Sequence, residues 1–100
     1  MIIAVTTVST EKDAKLLAKV AFAEKLAACV QIDEIVSVYR WAKEPKEDKE
    51  HRLMFKTTKE KLPNLEKRIK ELHRYDLPEW IWWEAEASKE YGDWVSSPKD

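Results

Sequence analysis

His73, Tyr75, Asp76 and Glu79 fall together in HRYDLPE (73–79). Imidazole with carboxylate suits a metal such as copper(II), and a carboxyl pair suits proton transfer. His73 and Glu79 are therefore candidate metal ligands, and Asp76 with Glu79 a candidate acid–base pair. No HxH or HxxxH neighbour supports the metal reading. His73 equally suits a helix C-terminus, where the macrodipole favours it, and Glu79 an ion pair at a strand edge. His51, at the start of a strand after a charged loop, reads as a plain surface residue. Cys29, between Ala28 and Val30, reads as a buried small hydrophobe with no cationic neighbour to activate its thiol.

Other chemistries have no sequence support. GxxxxGK[ST], GxGxxG and GxSxG are absent, and a chain whose only glycine is Gly92 has no glycine-rich phosphate cradle. The lone cysteine excludes an intramolecular disulfide and a CxxC zinc pair, and it suits a reducing cytoplasm. A net charge of −1 gives no electrostatic case for nucleic acid or an anionic membrane. Lys67, Arg68 and Lys70 alternate with Glu66 and Glu71, as on a solvated helix face. No apolar run is long enough to cross a bilayer, and MIIAVTTV is strand-like rather than a signal peptide. Scarce glycine and cysteine with abundant Lys and Glu point to a heat-adapted source.

These residues must be positioned by a single domain over 1–100 with one modest core. IIAVTTV (2–8) reads as a buried strand. Ala14, Leu17, Ala18, Ala21 and Phe22 form a helical stripe, with Thr10 or Ser9 as its cap. AACVQI (27–32) and IVSVYRW (35–41) read as a strand bent or bulged at Asp33. KEPKEDKE (43–50) is expected to be a hairpin tip or loop, and HRLMFKTT (51–58) the returning strand. Leu62, Leu65, Ile69 and Leu72 mark a second helix with Pro63 in its first turn. EWIWWEAEA (79–87) is the fourth strand, and Tyr91, Trp94 and Val95 suggest a short last helix docked by its aromatics.

The order βαββαβ gives an α+β, ferredoxin-like sandwich with a short C-terminal helix: a four-stranded antiparallel sheet with two helices on one face. In the last strand Trp80 and Trp82 point to one side, and Ile81, Trp83 and Ala85 to the other. Ile35, Val36 and Val38 are similarly two-sided. Two helices cover one face, so the other is expected to meet another copy or a partner.

The motifs resemble the CutA divalent-cation tolerance family over most of the chain. EKLAACVQI (24–32), the Tyr39-x-Trp41 pair, Glu50 with Lys56-Thr57, and His73-x-Tyr75-x-x-Pro78-Glu79 occur in the family's order and spacing. The resemblance implies a ferredoxin-like subunit in a tight homotrimer, a link to copper and divalent-metal tolerance, and a likeness to trimeric PII signalling proteins with ligand clefts between subunits. It makes Tyr39, Trp41, Glu50, Lys56 and Tyr75 candidate lining of such a cleft. They equally suit ordering of the trimer, with Glu50 and Lys56 in an ion pair. Three positions depart from the family pattern. Lys43 stands at a usual glycine, Thr6 at a proposed copper-ligand cysteine of some members, and Leu72 at an extra histidine of some bacterial members.

The resulting expectation is a cytoplasmic, non-enzymatic homotrimer for divalent-cation tolerance. It requires no cofactor and binds neither nucleic acid nor membrane. Cu2+ or another divalent cation is its candidate ligand. The alternative is a PII-like module that takes a small anionic metabolite between subunits. A hydrolase acting in the same cleft is a third reading.

Overall fold

The computed structural model describes residues 1–98; Lys99 and Asp100 lie outside the described residues. The elements run β1 (Ile2–Val8), α1 (Glu11–Ala23), β2 (Cys29–Trp41), β3 (Glu44–Thr57), α2 (Leu62–Leu72), β4 (Ile81–Glu84) and α3 (Lys89–Ser96). The strands form one antiparallel sheet in the order β2-β3-β1-β4. This is the expected ferredoxin-like arrangement.

Local chemistry sets the helix ends. Thr10 caps α1: its hydroxyl accepts the Asp13 N–H at 3.1 Å, and Glu11 and Asp13 suit the positive end of the dipole. Pro63 occupies the first turn of α2, where its missing N–H costs nothing. Ala14, Leu17 and Ala21 of α1 meet Leu62, Leu65 and Ile69 of α2 over Ile2, Ala4, Leu53 and Phe55 of the sheet. Each large side chain fully buried there contributes roughly 1.5–3 kcal/mol.

The second sheet face is partly covered. Ile3 and Val5 alternate away from the core cluster yet are only 6% exposed. Lys56 pairs in register with Ile3, and its ammonium reaches the Tyr91 hydroxyl of α3 at 3.0 Å, so α3 lies on this face. The helix docks through Val95, whereas Tyr91 and Trp94 stack on each other and stay about a third exposed. That differs from the expected aromatic docking.

The central hairpin corrects two expectations. β2 runs unbroken through Asp33, which pairs with Arg52 in both backbone register and a two-point ion pair, so there is no bulge. Residues 44–50 are strand, not loop: pairing continues to Trp41↔Glu44, and only Ala42 and Lys43 turn. Charged side chains concealed this, because a two-stranded ribbon beyond the core leaves both faces in water. Thirteen residues of β2 at about 3.4 Å each span about 44 Å. That matches the 45 Å long axis of the molecule. β4 is shorter than expected, four residues. Trp80 lies before it and packs toward the core beside Phe55, at 6.0 Å between ring centroids.

Ala42 and Lys43 have φ of 51° and 68°, the left-handed pair that a two-residue hairpin turn requires. A side chain in that region costs about 1 kcal/mol or more. Lys43→Gly should therefore raise stability by about 1 kcal/mol, read as a higher denaturant midpoint at unchanged slope. A lowered midpoint would contradict the turn assignment.

Candidate functional site

The end of α2 fixes the HRYDLPE corner. His73 follows the last helical residue, and its backbone leaves the helix with ψ of 139°. Its side chain then crosses to the end of β1. Nε2 lies 2.9 Å from the Thr7 carbonyl oxygen, and the Tyr75 N–H donates to Nδ1 at 3.1 Å. A carbonyl only accepts, so Nε2 carries the proton and Nδ1 is the acceptor. Both nitrogens of this neutral ring are thereby engaged. Burial lowers the His73 pKa, against opposing pulls from the Thr7 carbonyl, Asp13 and Glu50.

The rest of the motif faces an open groove of about 810 Å³ on the second sheet face. Its walls include Tyr39, Trp41, Asp48 and Glu50 of the hairpin, and Tyr75, Asp76 and Glu79 of the corner. Tyr75 donates its hydroxyl to Glu50 at 2.8 Å, and Tyr39 donates to Asp48. Burial, then the Glu50 contact, pushes the Tyr75 phenol far upward. The bond to Asp48 raises that of Tyr39. Both phenols therefore stay donors to carboxylates. Burial and the nearby Glu50 raise the Glu79 carboxyl, with Arg52 opposing. The Glu79 backbone carbonyl accepts the Thr6 hydroxyl at 2.7 Å, anchoring the strand entry to β1.

The groove thus unites Tyr39, Trp41, Glu50, Tyr75 and Glu79 of the expected residues. His73 lines a separate, smaller pocket beside α1. Lys56 is not in the groove; it sits at the other end of β3 against Tyr91. Glu50 and Lys56, six residues apart on one strand, are about 20 Å apart along it, so they form no ion pair within the subunit. Thr6 is fully buried and alternates with Ala4 and Val8 on the helix-facing side, away from the groove. His51 is not a plain surface residue: its side chain is 18% exposed, Nε2 is 3.5 Å from Glu34, and Nδ1 is buried without a partner. Cys29 is a free, partly exposed thiol.

Asp48 escapes the sequence reading, and Asp76 enters it only as an acid–base partner of Glu79. Taking 43–50 as a loop hid the signal for Asp48. In a continuous strand Asp48 and Glu50 share a face, opposite Ser37 and Ile35. Chemically, the groove offers four carboxylates, Asp48, Glu50, Asp76 and Glu79, against Lys49 and Arg74. The Arg74 guanidinium is already bound to Asp13 at 3.1 Å. Among the described residues, no three His, Cys, Asp or Glu side chains converge to hold a metal ion. The donor set therefore does not fit a tight copper centre. Imidazole is engaged and thiolate is missing from the groove, which leaves scattered carboxylate oxygen.

Two pH effects follow. The folded pKa of His73 lies below its unfolded value of about 6.5, so the unfolded chain binds more protons just under that pH. Stability present above pH 6.5 should fall as pH drops through the window below it. His73→Gln should flatten that fall in denaturation curves measured against pH, and an unchanged fall would contradict the ring's role. Glu79 has the opposite sign: its folded pKa is raised, so its ionisation weakens the fold as pH rises. Glu79→Gln should therefore raise the thermal midpoint at pH 7 more than at pH 4, and an equal shift at both would refute burial as the cause.

The family model for the CutA1 divalent ion tolerance protein matches residues 2–98. The divalent-cation tolerance protein CutA of Thermus thermophilus is 44% identical over 91 residues, covering 89% of this chain and 88% of that protein. A solved structure of the divalent cation tolerance protein of Thermus thermophilus superposes with a TM-score of 0.91 at 40% identity, covering all of both chains. The apo PII-like protein CutA of Nostoc superposes with a TM-score of 0.90 at 32% identity, over 96% of this chain and 94% of that one. The two Thermus proteins are named for divalent-cation tolerance and the Nostoc protein as PII-like; none of the three names states a catalysed reaction. With the family's motifs in order on the family's fold, the chain belongs to the CutA1 divalent ion tolerance protein family.

Proposed function

We propose that the chain acts as a cytoplasmic homotrimer in divalent-cation tolerance, holding cations loosely in the acidic groove. The groove's charge carries this reading: four carboxylates face Lys49 and an Arg74 already paired with Asp13. The same charge disfavours the PII-like alternative of an anionic metabolite, which those carboxylates would repel. A free Cys29 with no second cysteine suits a reducing compartment.

Support for assembly comes from the sheet edges. Val36 and Val38 on edge strand β2 are 60% and 75% exposed. Ile81, Trp82 and Trp83 on edge strand β4 are each about half exposed. Long apolar edges invite pairing with another chain unless they are covered. Trp80, by contrast, supports the subunit's own core, so it is not an interface probe.

For metal, Glu79 and Glu50 are the proposed oxygen donors. His73 joins them only by releasing Thr7 and Tyr75, so copper(II) binds weakly, and soft copper(I), lacking sulfur in the groove, binds worse. In calorimetric titrations with copper(II), Glu79→Gln should weaken binding at least severalfold. Wild-type affinity in Glu79→Gln would remove the groove as the cation site.

Sedimentation equilibrium should give three 11.8 kDa subunits for the wild type, and Val38→Lys with Trp83→Lys should shift it to folded monomer. A stable wild-type monomer at micromolar concentration would overturn the trimer.

A further inference from the structure

We draw no further inference here: the strongest candidate, the partly exposed Cys29 thiol at the start of β2, paired in register with a Lys56 whose ammonium is held by the Tyr91 hydroxyl of α3, rests on a lone cysteine with nothing beside it among the described residues that points to a ligand.

Discussion

Everything in this subunit hangs on β1. All seven of its residues are buried, and it hydrogen-bonds β3 on one side and β4 on the other. A strand buried on both faces demands cover on both. α1 and α2 supply it on the side of Ile2, Ala4 and Val8. α3 and the aligned side chains of β3 and β4 supply it on the side of Ile3 and Val5. The functional corner is tied to the same strand, because the Thr7 carbonyl holds His73 and the Thr6 hydroxyl holds the Glu79 carbonyl. Two consecutive residues of β1 therefore set both ends of HRYDLPE, and through it one wall of the groove.

Cover is complete at β1 and fades outward. β2 and β4, the two sheet edges, carry half-exposed valine, isoleucine and tryptophan where an isolated subunit would be expected to carry charge. The hairpin of β2 and β3 extends well past the helices, which gives the molecule its 45 Å axis. A ribbon of two strands is marginal in water by itself. Its length and its exposed valines are what the proposed trimer explains.

The fold was legible in the sequence wherever burial imposes a pattern. The stripe Ala14, Leu17, Ala21, the stripe Leu62, Leu65, Ile69, and the β-branched run of β1 each declared its element. Legibility failed where no core selects the side chains. KEPKEDKE reads as loop because a solvated strand has no apolar face, and Asp33 reads as a bend because its partner Arg52 is nineteen residues away. The site was half legible for the same reason. Tyr39, Trp41, Glu50, Tyr75 and Glu79 came through family motifs, but Asp48 needs the hairpin register to reach the groove. His73 looked like a ligand because composition cannot show that a carbonyl and an amide already occupy both its nitrogens.

In the proposed trimer, the subunit's apolar edges are closed by other copies of itself. Hydrogen exchange resolved to single amides along Val36–Trp41 of β2 reads that closure at the strand concerned. Within the subunit, β3 bonds only one side of that strand. If the edges are covered, amides pointing away from β3 are protected as strongly as those pointing toward it, and dilution below the assembly's dissociation constant releases them. Rapid exchange of the outward amides at millimolar protein, beside protected inward ones, would mean that the edge is open and the trimer is wrong.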